Sequence, residues 1–139
     1  MKPGNGAALL GAALVVATAA VIAGISIAGT PAEGRRQRLD DVRARDLRGL
    51  GASIDAFWAR HERLPASLRE LASDTRSALA VTDPESGAEY EYRILGERSY
   101  ELCAVFARSA TPQRRAPEPF AVHDVGSSCF PLSTRTADP

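Results

Sequence analysis

Glu89-Tyr90-Glu91-Tyr92-Arg93-Ile94-Leu95-Gly96-Glu97-Arg98-Ser99-Tyr100-Glu101-Leu102-Cys103-Ala104-Val105-Phe106 is the stretch that decides the fold. Tyr90, Tyr92 and Ile94 alternate with Glu89, Glu91 and Arg93. After Gly96, Tyr100, Leu102, Ala104 and Phe106 alternate with Glu101, Cys103 and Val105. A period of two is the mark of a strand with one buried face. A three-residue loop, Gly96 to Arg98, sets Ile94 opposite Tyr100 and Tyr92 opposite Leu102. The same register places Arg93 opposite Glu101, an opposite-charge pair on the outer face. A two-residue loop sets Tyr92 against Glu101 and mixes the faces, so the three-residue loop is expected. The tyrosines are read as core before they are read as a ligand platform.

The apolar face of this hairpin needs a partner, and the sequence upstream offers one. From near Arg35, the residues Leu39, Val42, Leu47, Leu50, Ile54, Phe57 and Trp58 recur at helical spacing, with His61 on the same arc. Arg38, Asp41, Arg45, Arg48, Asp55 and Arg60 fall on the other side. The six Arg and three Asp between Arg35 and Arg48 read as a solvated face with pairs such as Asp41 and Arg45. Leu64-Pro65 stops this helix. Ser67 is placed to cap a short turn, Leu68 to Leu71, with Glu70 three residues on. Asp83-Pro84-Glu85-Ser86-Gly87 is a turn. Ser109 to Pro119 reads as an irregular loop, Phe120 to Val125 as a third strand, and 133–139 as a mobile tail.

Ahead of the helix, Ala7 to Ala28 is a run of 22 uncharged residues. As a helix it spans about 33 Å, which matches a hydrocarbon core of roughly 30 Å. A cleavable signal peptide is the competing reading, since Ser26-Ile27-Ala28 is an acceptable small-x-small site. The run is longer than the apolar core of an ordinary signal, so a retained anchor in lipid is expected. Gly29-Thr30-Pro31 breaks or kinks the helix after it. The expected organisation is a leader at 1–6, a transmembrane helix at 7–28, an α+β domain at 29–132 and the tail.

Seventeen basic and seventeen acidic residues give a formal net charge of zero, so no nucleic-acid partner is expected. Sixteen of the basic residues are Arg, a bias spread over the whole chain that marks no site. Two Cys and two His are too few for a zinc cluster of the usual spacing. No phosphate-loop, dinucleotide, metalloprotease or nucleophile-elbow signature occurs. No catalytic residue, metal or cofactor is expected.

The order of features resembles the type IV pilin-like proteins, and within them the major pseudopilin of type II secretion. An apolar span and a long amphipathic helix are followed by Leu64-Pro65-x-Ser67-Leu68-x-x-Leu71. Then Asp83-Pro84-x-Ser86-Gly87-x-x-Tyr90-x-Tyr92-Arg93 opens the hairpin. The resemblance covers roughly residues 7 to 107. It implies an α+β fold with a transmembrane helix continuing into a long amphipathic helix packed on a small antiparallel sheet. It also implies a single-pass bacterial inner-membrane protein with a periplasmic domain that works through contacts with other membrane or envelope proteins. The chain departs from the family at its start, where Gly11 stands in place of the prepilin glutamate and the peptidase motif is lacking. Filament assembly is therefore not expected.

Cys103, Cys129 and His123, with Asp124 beside it, are the remaining chemistry. A metal site would need Asp124 as a fourth ligand, and a thiol nucleophile at Cys103 would need His123 as base. A structural disulfide needs only proximity, and Cys103–Cys129 is the expected bond, with Cys103 on the outer face of the hairpin. An alternative function is a small extracytoplasmic ligand-binding or catalytic domain, with His123 and Asp124 as a polar site. Sidedness has two opposed signals. Arg35, Arg36 and Arg38 after the span favour a cytoplasmic domain by the positive-inside rule. The cysteine pair suits an oxidising compartment, and the outside placement is preferred.

Overall fold

A computed structural model describes residues 4–28, 30–75, 78–110 and 119–134. The chain is α+β and divides into two compact units, Met1–Arg35 and Arg36–Pro139.

The first unit holds α1 (Gly4–Ala28). Its large apolar side chains, among them Leu10, Leu14, Val16 and Ile22, are exposed. The two hydroxyls are satisfied inside the helix, Thr18 by the Leu14 carbonyl and Ser26 by the Ile22 carbonyl, each at 2.8 Å. Such back-bonding leaves neither hydroxyl seeking water. By length and composition α1 can cross a membrane, a test that a signal sequence also passes.

The next helix, α2 (Pro31–His61), begins earlier than the expected start near Arg35. Thr30 and Glu33 form a capping box. The Glu33 amide donates to Thr30 Oγ1 at 3.2 Å, and the Thr30 amide donates to Glu33 Oε2 at 3.0 Å. Pro31 occupies the first helical position, where its missing N–H costs nothing. Thr30 and Pro31 thus act as a helix start.

In the second unit, Leu47, Leu50, Ile54 and Phe57 of α2 are buried as the apolar spacing requires. Leu39, Val42 and Trp58 are only half-buried. The buried stripe instead carries Asp40 and Arg43 at its N-terminal end, against the expectation of a solvated face. After Pro65, Ser67 caps α3 (Leu68–Asp74), its hydroxyl accepting from the Glu70 amide at 3.2 Å. This helix runs three residues past Leu71, and the Glu70 carboxylate turns back to the Ala66 amide at 2.6 Å. The expected turn forms at Asp83–Gly87, with Gly87 at φ 70°, where a side chain would be strained.

The sheet contains β1 (Glu91–Ile94), β2 (Ser99–Phe106) and β3 (Gly126–Ser133), antiparallel in that spatial order. The β1–β2 register is the expected one: Ile94 faces Tyr100, Arg93 faces Glu101 and Tyr92 faces Leu102. The third strand is not Phe120 to Val125 but Gly126–Ser133. Phe120 is buried in a turn, and its ring meets Phe130 edge-on at 5.0 Å. Phe130 and Leu132 supply the inward positions of β3, opposite Leu102 and Tyr100.

Pro131 hid this strand from view. The Thr134 amide donates to the Arg98 carbonyl, which fixes the hydrogen-bonding phase of the β2–β3 ladder. Pro131 then points its missing donor away from β2, on the open edge, where a proline is tolerated. Ser133 ends β3 and Thr134 is buried, so order reaches two residues beyond the boundary expected at 132. The rest of the expected tail, 135–139, lies outside the described residues, as do 111–118 of the expected loop and 1–3 of the leader.

One core joins these pieces: α2, Leu64, Leu68, Leu71, Tyr90, Tyr100, Leu102, Phe106, Phe120 and Phe130. Tyr90 donates to Asp46 at 3.0 Å and Tyr92 to the Pro65 carbonyl at 3.0 Å. Both tyrosines are therefore anchored core residues, as the alternation requires. Burial pushes the Tyr92 hydroxyl up to about 12.

Candidate functional site

Arg43 is buried on α2 and bonded to three carboxylates. Its Nε donates to Asp83 Oδ2 at 2.5 Å, Nη1 to Asp40 Oδ1 at 2.9 Å and Nη2 to Glu85 Oε2 at 2.8 Å. Asp40 in turn accepts from the amides of Ala107 and Arg108, each at 3.0 Å. Asp83 Oδ1 accepts from the Glu85 and Ser86 amides, which shapes the turn. The guanidinium beside Asp83 holds that carboxyl well below the usual carboxylate range, against the opposing effect of burial. The same bond raises the Arg43 guanidinium above its ordinary value. One buried cation thus fastens α2 to the Asp83 turn, and Asp40 fastens α2 to the end of β2. With its donors engaged by carboxylates, Arg43 is poorly placed to receive an external anion.

Beside it lies a groove of about 390 Å³, lined by Glu85, Glu89, Tyr90, Val105 and Ser127 among others. It opens where β1 ends and β2 runs on, because Glu89 is bridged to Thr82 and not to Val105. Val105 is 62% exposed there.

Cys103 and Cys129 form the expected disulfide. They are opposite one another on β2 and β3, with Cα atoms 4.0 Å apart. Cys103 has the outward parity expected, yet it is only 2% exposed. The reason is its place on the central strand, with Glu91 on one side and Cys129 on the other. Cys129 itself is exposed, and it lies within β3.

His123 and Asp124 do not join the cysteines. The His123 ring stacks on Phe106 at 3.7 Å, and Phe106 belongs to the inner face of the sheet. Its backbone pairs with that of Ala110. Its Nδ1 is buried without a hydrogen-bond partner among the described residues. Asp124 is exposed, and its carbonyl accepts from the Ser128 hydroxyl. At the far end of the domain, His61 meets Phe57 at 4.3 Å and Asp74 at 3.0 Å, the rim packing expected of it. Among the described residues, the side chains close enough to share a metal ion are Glu101, Cys103 and Cys129.

The fold and these sites define an α+β protein with one helix apolar enough to cross a membrane and a sheet closed by a cross-strand disulfide. No family model, no curated protein and no solved structure matches the chain.

Proposed function

We propose that the chain is a single-span envelope protein of the bacterial inner membrane. Its pseudopilin-like domain lies outside the cytoplasm and acts through protein–protein contacts, in association with a secretion or pilus-like assembly. It is not an enzyme. The observation that carries this reading is the apolar surface of α1, exposed on every side and in need of lipid. The disulfide adds a side, since such bonds persist in oxidising compartments. A long helix ahead of a small antiparallel sheet is compatible with the pilin-like order of motifs. The carboxylate-bonded Arg43 and the separation of His123 from the disulfide-bonded cysteines favour scaffold over catalyst.

The reading is tested by N-terminal sequencing of the protein recovered from alkali-washed membranes. A chain that keeps Ala7 to Ala28 supports an anchor. A mature chain beginning at Gly29 sinks it. Gly11 at the glutamate position removes the carboxylate that would neutralise an amine in lipid, so filaments with this chain as main subunit are not expected.

The alternative, a ligand-binding or catalytic domain, keeps one observation in its favour: the buried Nδ1 of His123, which has no partner among the described residues.

A further inference from the structure

Across the outer face of the sheet, Glu91, Cys103 and Cys129 stand in one row, in direct register on β1, β2 and β3. Glu101 lies two residues before Cys103, hence on the same face. A carboxylate oxygen of Glu101 and the two sulfurs all lie within 4.8 Å of one another. Two thiolates and a carboxylate so grouped are the donor set of a borderline-soft divalent cation. Joined to each other, the sulfurs have no such capacity.

We propose that reduction of the Cys103–Cys129 bond converts this row into a site for a divalent cation of the zinc class, with Cys103, Cys129 and Glu101 as ligands. The proposal rests on the sheet geometry alone and is independent of the membrane reading. Exposure sets the order of the redox step. Cys129 is open to solvent and Cys103 is not, so a thiolate of a dithiol reductant attacks Cys129 Sγ. The sulfur–sulfur bond breaks, Cys103 leaves with the electron pair, and a mixed disulfide forms. The second thiol of the reductant then displaces Cys129. Two electrons and two protons pass to the protein, and the reductant departs as its own disulfide. The cation replaces the two thiol protons, which go to water.

The sheet keeps the ligands together after reduction. Leu102 with Phe130 and Ala104 with Ser128 bracket the cysteines on either side and hold the strands in register. Metal–sulfur bonds of about 2.3 Å in tetrahedral geometry need the sulfurs to part to only about 3.8 Å. Arg93 is the competitor for Glu101, with Nη1 at 3.6 Å, while its Nη2 is held by Glu91 at 2.8 Å. A water completes the coordination.

The test uses the full chain in detergent, reduced with a phosphine, freed of reductant without air and titrated with cobalt(II) chloride. Circular dichroism of the reduced protein is recorded alongside. The expected result is a thiolate-to-cobalt charge-transfer band that saturates at one equivalent and is displaced by zinc. The oxidised protein and the Cys103→Ala/Cys129→Ala variant are expected to give none. Glu101→Gln, with two titratable thiols retained, is expected to weaken binding roughly tenfold or more. A reduced protein that keeps its sheet but gives no band overturns the proposal. So does an affinity indifferent to Glu101→Gln, or loss of the sheet on reduction, since either means no folded site exists.

Discussion

Arg43 and Asp83 are forty residues apart in sequence and are joined by two hydrogen bonds, Nε to Oδ2 at 2.5 Å and Nη2 to Oδ1 at 3.3 Å. This pair ties the helix to the turn that launches the hairpin. Its energetic meaning follows from burial. Arg43 is 4% exposed and Asp40 and Asp83 are buried with it. A buried ion pair adds little over a well-packed apolar substitute, but removing one partner strands the other. Arg43→Met is therefore expected to destabilise the domain by about 3–5 kcal/mol in urea unfolding. Glu85→Gln is expected to cost under about 1 kcal/mol, because that side chain is 53% exposed. Equal effects from the two would show that the cluster is not the buried fastening described.

The same pair sets an acid limit. Asp83 is depressed in the folded state by Arg43, with the Ser86 and Glu85 amides assisting and burial opposing. The unfolded chain then takes up the proton first. The contribution is complete above about pH 4, the ordinary carboxylate range, and is lost as pH falls from there toward the folded value. Asp83→Asn is expected to lower stability at neutral pH and to flatten its decline below about pH 4. Some slope remains, since Glu70 and Asp74 are also lowered by Arg63 and Arg60. An unchanged slope in Asp83→Asn would remove Asp83 from the acid limit.

The hairpin was legible in the sequence because its two strands alternate cleanly and only one loop length keeps the faces apart. Its register and the disulfide came from that parity. The Arg43 cluster is not legible from hydrophobicity, because its members are charged and only their spacing marks them as buried. Asp40, Arg43, Leu47, Leu50, Ile54 and Phe57 continue one 3–4 spacing, and two charged residues on a buried stripe call for partners. Asp83 is one such partner, and its place in a turn motif conceals that second role. The third strand is hard to place from sequence because Pro131 reads as a strand breaker until the open edge is known.

Removal of the disulfide has a size. The chain-entropy estimate for a sequence separation of 26 is about 3.5 kcal/mol. Cys103→Ala/Cys129→Ala is expected to lower unfolding stability by roughly that amount and to leave the circular dichroism spectrum unchanged. A loss below about 1 kcal/mol would mean that the ladder alone holds β3 in place.

His123 separates scaffold from site. His123→Ala removes a ring stacked on Phe106 and is expected to cost about 0.5–1.5 kcal/mol beyond the lost area. Complementation of a deletion strain by this variant is expected to be intact. A folded His123→Ala protein that fails to complement would favour the ligand-binding or catalytic reading.

The central claim is a retained anchor with an exported, disulfide-closed domain, and maleimide labelling of intact cells addresses it most directly. A membrane-impermeant maleimide is applied with and without a reductant, before and after permeabilisation, and Cys103 and Cys129 are scored by mass shift. The account requires labelling of intact cells only after reduction, on a protein that stays in the membrane fraction. Labelling without reductant, and only in permeabilised cells, would place a reduced domain in the cytoplasm and contradict it.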